Sequence, residues 1–157
     1  MKIEIKMDKN INESKIIIHT SKITKEITEI YDKLNGEINK KIKAFKDDKM
    51  YFLNQSDIES IYAEESKVYI RYNNEKYLLK LRLYEIEELL DKKTFVRISH
   101  SEIINIEKVK NIDFRITGTI LFNFYDGNKA FVSRRYIKRI KNFLNSKEWF
   151  LWKKKVM

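Results

Sequence analysis

From about Lys41 onward, the chain is a succession of short segments in which apolar and polar side chains alternate, broken by polar turn residues. A period of two sends one set of side chains to a core and the other to water, the pattern of half-buried strands. KIKAFK and MYFLN flank Asp47-Asp48, a hairpin signature. SIYAE, KVYIRY and KYLLKL follow; in the second, Val68, Ile70 and Tyr72 face one way and Lys67, Tyr69 and Arg71 the other. Asn73-Asn74 turns the chain into the third run. A short helix is expected at about Leu83 to Leu90, with Leu83, Ile86, Leu89 and Leu90 on one face. Ile112, Phe114 and Ile116 then alternate in one strand and Ile120, Phe122 and Phe124 in the next, joined through Gly118. Asp126-Gly127 makes a tight turn into KAFV. The expected fold is mainly β with a few short helices, a sandwich-like stack of small sheets.

Two further segments flank this region. At the N-terminus, MKIEIKM and KIIIH (Lys15 to His19) read as strands, followed by a helix from about Lys22 to Leu34. Ile23, Ile27, Ile30, Tyr31 and Leu34 have helical spacing, Thr20 or Ser21 is placed to cap it, and Asn35-Gly36 to end it. At the C-terminus a helix starts at Ser133, with Ile137, Ile140 and Leu144 inward, and the tail EWFLWKKKVM is aromatic, then basic. The expected organisation is a β-β-α extension over residues 1–42, a β domain over 43–147 and a tail over 148–157.

Several function classes lack their residues. Cysteine is absent, which removes disulfides, thiol nucleophiles and thiolate metal sites. The two histidines, His19 and His100, lie far apart, and no carboxylates have metal-ligand spacing around them. There is no phosphate-cradling glycine loop, nucleophile elbow or paired-histidine zinc motif. The acidic pairs Asp47-Asp48, Glu64-Glu65 and Glu87-Glu88 read as solvated turns or helix surface. The expectation is a cytoplasmic protein that is not an enzyme and takes no cofactor and no small-molecule substrate. No apolar run has the length of a membrane span, and the N-terminus has no apolar signal-peptide core.

Charge points to a partner. The formal net charge is +10, and it is unevenly spread: residues 1–43 carry +3, residues 44–91 carry −4, and residues 92–157 carry +11. A field of one sign on one part of a fold attracts polyanions, nucleic acid above all. The helix after Ser133 sharpens this. Ser133 is a good N-cap residue, and Arg134 and Arg135 occupy the first turn, where the helix dipole disfavours cations. No acidic residue is close in sequence to compensate them. Backbone N–H groups, dipole and two guanidiniums would converge on an anion, and arginine offers a bidentate fork for a phosphate or a guanine edge. A second candidate is FVRISHSEIINI, where Ser99, His100 and Ser101 form a polar cluster between core residues; a third is the Glu65-Ser66-Lys67 turn.

From about Lys43 to Leu144 the chain resembles the LytTR DNA-binding domain of bacterial transcription regulators. The resemblance rests on Phe95, Arg97, Ser101, Asn105 and Ile106 of FVRISHSEIINI, on the Asp126-Gly127 turn, and on VSRRY, Val132 to Tyr136. It implies an elongated stack of small β-sheets across a DNA duplex, with loops rather than a recognition helix entering successive major grooves. It places base-reading positions at His100, at Arg134 or Arg135, and at the Ser66-Lys67 loop. Ser101 and Lys138 match phosphate-holding positions; Ser66, Ser133 and Arg139 join them as phosphate candidates. Many members carry His-Arg or His-Lys where this chain has Ser99-His100. A shorter imidazole therefore stands in for a long cation, although it can still donate or accept in a groove.

The expected partner is double-stranded DNA carrying repeated sites, bound side by side or as a homodimer. Only about forty residues precede the domain, too few for a phosphoacceptor receiver, so the N-terminal piece is expected to self-associate or to meet a regulatory protein. Two other readings are a membrane-surface or protein-interaction module, using Trp149, Phe150, Trp152 and Lys153 to Lys155, and an RNA binder, using Tyr69 and Tyr72.

Overall fold

The computed structural model describes residues 4–10, 15–38, 40–115 and 117–146. The chain divides into two compact units, Met1–Ile38 and Asn39–Met157. In the first, the described residues contain one helix, α1 (Lys25–Ile38), and no strand. The strands expected at MKIEIKM and KIIIH are thus not formed at residues 4–10 or 15–20. Alternation in the first and an apolar run in the second propose strands, but only a neighbouring ladder makes one; Ile16 and Ile17 remain exposed. The helix is also shifted. Thr24 rather than Thr20 or Ser21 serves it, its hydroxyl accepting from Ile27 N at 3.4 Å. The helix runs through Asn35-Gly36 to Ile38, a position that continues the four-residue spacing of Ile30 and Leu34.

The described residues of the second unit form ten strands and two α-helices: β1 (Lys41–Lys46), β2 (Lys49–Asn54), β3 (Ile58–Glu64), β4 (Lys67–Tyr72), β5 (Glu75–Leu79), α2 (Leu83–Leu89), β6 (Phe95–Ser99), β7 (Glu102–Asn105), β8 (Val109–Phe114), β9 (Ile120–Phe124), β10 (Lys129–Phe131) and α3 (Ile137–Leu144). The larger sheet has the order β2-β1-β5-β4-β3-β7-β6 and the smaller β10-β9-β8; every pairing is antiparallel. Two-residue turns at Asp47-Asp48, Glu65-Ser66 and Asn73-Asn74 all hold both residues at positive φ, between 49° and 63°. That conformation matches the twist of a tight hairpin and is adopted here without glycine.

Two hydrophobic cores flank the β6–β7 hairpin. Phe95 and Ile103 join Ile42, Ile61, Ile70, Leu79 and Ile86 in one. Their neighbours Val96, Ile98 and Ile104 join Phe122, Phe124, Ile140 and Leu144 in the other. The smaller sheet and α3 thus cover one face of β6–β7, and α2 the opposite face. Val68, Ile70 and Tyr72 pack in the first core as expected. Leu89 does not: it is exposed, because Leu83, Ile86 and Leu90 already fill the inward arc of α2.

Asn105 locks the hairpin to its surroundings. It is fully buried; its Nδ2 donates to Ile58 O at 2.8 Å and its Oδ1 accepts from Glu107 N at 2.9 Å. Asn105→Ala leaves the buried Ile58 carbonyl and the partly buried Glu107 N–H unpaired, and is expected to cost about 2–3 kcal/mol by denaturant unfolding.

A polar cluster lies where the β9–β10 turn meets the larger sheet. Asn128 Nδ2 donates to Glu59 at 3.1 Å and to Asp126 at 2.7 Å, and Arg71 lies 3.5 Å from Glu59. Burial and the adjoining Asp126 push the Glu59 carboxyl up to about 7, against the opposing effects of Asn128 and Arg71. Burial also raises Asp126, but hydrogen bonds with Glu59 and Asn128 outweigh it and hold that carboxyl below its usual range. A raised carboxyl stabilises the fold fully below the ordinary value of 4.5 and loses that contribution as pH rises through about 7. Glu59→Gln removes this loss. Relative to wild type, the variant should gain about 1–2 kcal/mol between pH 5 and pH 8, read from thermal unfolding at each pH.

Candidate nucleic-acid interface

Three chain reversals gather at one end of the larger sheet. The β3–β4 turn, Glu65-Ser66, and the β6–β7 turn, His100-Ser101, are neighbours because β3 pairs with β7: Tyr62 lies opposite Glu102, and Ala63 N donates to Ser101 O at 2.8 Å. The third reversal, after β10, is tied to the end of β6 by Ser133 N donating to Ile98 O at 2.9 Å. The three segments singled out from sequence are therefore linked through β3, β7 and β6.

The side chains there fall into two sets. Lys67, His100, Arg134, Arg135 and Lys138 are exposed. Among the described residues none of the four cations has an acidic partner. Arg97 and Arg139 are held instead. Arg97 Nη1 donates to Glu87 at 2.9 Å, and Arg139 Nη2 donates to the other oxygen of Glu87 at 2.8 Å. Arg97 also donates from Nε to Ser99 O at 3.0 Å and from Nη2 to His100 O, so one guanidinium grips both carbonyls at the β6–β7 turn. Burial raises the Glu87 carboxyl, but hydrogen bonds from Arg97 and Arg139 outweigh it and hold it below the usual carboxylate range.

Glu87 was not legible as a site residue. In sequence it is one of an acidic pair on a short helix, and nothing in its spacing distinguishes it from Glu88, which pairs with Lys92 on the surface. The signal was indirect: Arg97, flanked by buried Val96 and Ile98 on a strand, needs a carboxylate, and α2 is the nearest element with acids to spare.

The serines take several roles. Ser66 sits in its turn at φ 63°. Ser99 Oγ accepts from Ser101 N at 3.2 Å and lies 3.3 Å from Ser101 Oγ, which stiffens the turn below His100. Ser133 corrects an expectation. Its hydroxyl makes no cap hydrogen bond, and the chain enters a 3₁₀ turn, Arg134–Tyr136, before α3 begins at Ile137. The Ser133 N–H goes to Ile98 O and its carbonyl accepts from Tyr136 N at 2.9 Å, so tertiary bonding of the backbone replaces a helix cap. The two arginines thus ride a 3₁₀ turn, not the first turn of an α-helix.

Tyr69 and Tyr72 do not form a stacking platform. Tyr69 is tilted against Tyr62 at 5.9 Å and covered by Lys76 Nζ at 3.9 Å. Tyr72 packs in the first core, edge-on to Tyr77 at 5.8 Å. The tail residues Trp149, Phe150, Trp152 and Lys153 to Lys155 lie outside the described residues, as does Ile116. Among the described residues no helix is long and apolar enough to cross a membrane.

Comparison with known proteins gives the family and the fold. The family model of the LytTr DNA-binding domain matches residues 48–145. An uncharacterized HTH-type transcriptional regulator of Staphylococcus aureus (strain NCTC 8325 / PS 47) is 32% identical over 146 residues, which span 92% of this chain and 99% of the relative. Its counterpart in strain MRSA252 is 31% identical over the same length. A solved LytTr DNA-binding domain from Bacillus cereus superposes with a TM-score of 0.65 at 24% identity, covering 68% of this chain and 97% of that one. The chain belongs to the LytTr DNA-binding domain family. The relatives are named for a helix-turn-helix; among the described residues no two α-helices follow one another across a short turn.

A measurement separates the two accounts of Ser133. Loss of a helix cap typically costs about 1 kcal/mol. With no cap bond to lose, Ser133→Ala is expected to shift stability by less than about 0.5 kcal/mol in denaturant unfolding.

Proposed function

We propose that this protein is a transcriptional regulator that binds double-stranded DNA sequence-specifically, presenting loops to the major groove. The observation that supports this most is the gathering of three turns at one sheet end, carrying Lys67, His100, Arg134 and Arg135, with no ion-pair partner for the cations among the described residues. Exposed guanidiniums on a braced segment have the geometry for a bidentate contact with a guanine edge. Lys67 and His100 would read neighbouring bases. Ser66, Ser101, Ser133, Lys138 and Arg139 would meet phosphates, supplying much of the affinity and its salt dependence. Of these, Arg139 is already engaged by Glu87 and would contribute less charge than Lys138. The protein would act inside the cell on repeated sites, two copies lying side by side or as a homodimer, with the N-terminal unit meeting a second copy or a regulatory protein.

Selection of bound fragments from a genomic library with purified protein would give the preferred duplex, and gel-shift titration then tests the residues. Arg134→Ala or Arg135→Ala should weaken binding to that duplex by about 1–3 kcal/mol while the fold survives. His100→Ala should flatten the preference among base variants more than it lowers affinity for a scrambled duplex. Undiminished binding by both arginine variants would remove them from the interface.

A further inference from the structure

Glu87 is the only described carboxylate paired with two arginines from different elements. Its oxygens divide between Arg97 on β6 and Arg139 on α3, at 2.9 and 2.8 Å. Arg97, in turn, holds the carbonyls of Ser99 and His100. A continuous chain of charge-assisted hydrogen bonds therefore runs from the His100 turn through Arg97 and Glu87 to the helix that follows Arg134 and Arg135. Such bonds are short, directional and about twice as strong as neutral ones. The inner part is largely shielded from water, with Arg97 11% and Glu87 23% exposed, whereas Arg139 is 55% exposed.

We propose that Glu87 is a positioning residue for DNA recognition: it fixes the β6–β7 turn relative to the Arg134–Arg135 segment, so that His100 and the arginines meet a duplex in one register. This rests on the DNA-reading function proposed above. The carboxylate touches no base and repels phosphate. Its effect is to set the spacing between two reading elements before DNA arrives, so that binding need not order them. It also lowers the charge of the Arg97–Glu87–Arg139 group from +2 to +1. Selectivity and general attraction to DNA are therefore opposed at this residue. Removing the negative charge frees a guanidinium for phosphate and loosens the register of the two loops.

That opposition makes the test discriminating, because simple loss of structure weakens binding to every duplex. Full-length Glu87→Gln keeps the size of the side chain and loses its charge. Binding is measured by fluorescence anisotropy on the duplex selected by wild type and on a scrambled duplex of equal length, each over a series of salt concentrations. The ratio of specific to non-specific affinity should fall about tenfold. Affinity for the scrambled duplex should hold or rise, and its log–log salt dependence should steepen by about one unit.

Two variants at the more exposed partner guard against a folding defect. Arg139→Lys keeps one charged bond to Glu87 and should retain most of the ratio, while Arg139→Gln should lose it. If Arg139 served only a phosphate, Arg139→Gln would weaken both duplexes equally and leave the ratio intact, which overturns the proposal. A wild type that prefers no duplex removes the reading function and this inference with it. A selective wild type beside an equally selective Glu87→Gln removes this inference alone.

Discussion

The β6–β7 hairpin is the wall that both cores of the second unit share. Two side chains of the hairpin, Phe95 and Ile103, go to one core, and their alternating neighbours Val96, Ile98 and Ile104 to the other. A strand pair buried on both faces cannot slip by one residue without exchanging the two sets, so its register is fixed by packing on each side. The turn at its end inherits that rigidity. His100 is therefore carried on a two-residue loop whose base is held by the ladder, by the Ser99–Ser101 contacts and by Arg97. Asn105 at the other end of β7 ties the same hairpin to β3 through Ile58 O.

Around this wall the cations are sorted by whether they have a carboxylate. Arg71, Arg97 and Arg139 are matched by Glu59 and Glu87. Lys67, Arg134, Arg135 and Lys138 are exposed and unmatched among the described residues. Net charge alone does not make this distinction. Roughly the same excess of lysine and arginine spread evenly over the surface would attract a polyanion without orienting it. Here Arg97 braces the backbone of a turn, while Lys67, Arg134 and Arg135 stand beside turns without an acidic partner among the described residues.

Much of the β domain was legible because alternation is a local signal. KVYIRY divides its residues between two faces whatever its partners are, and Asp47-Asp48 and Asn73-Asn74 mark their turns unaided. What was not legible depended on partners distant in sequence. KIIIH alternates poorly and has no neighbouring strand in the described part of its unit. Leu89 has helical spacing, but the inward arc of α2 was already filled. Ser133 has the chemistry of a cap, yet β6 claimed its N–H. Glu87 and Glu88 are chemically identical neighbours separated only by a 100° turn of helix, which points one at two guanidiniums and the other at solvent. The candidate reading positions were named from residue type together with the family resemblance; the carboxylate that joins Arg97 to Arg139 beneath them was not.

The two margins of the larger sheet are managed differently. β6 closes one side, where the Ser133 N–H takes Ile98 O and α3 packs alongside. β2 closes the other with no strand beyond it among the described residues, and Met50 and Phe52 are exposed along it. An open rim of six residues with outward apolar groups invites a foreign strand to pair with it. Lys49 on β2, with Lys41 and Lys43 on the paired β1, is the charge that the sequence sets against that association. Like charges on these lysines repel between two copies of the rim, and salt weakens that repulsion by screening it.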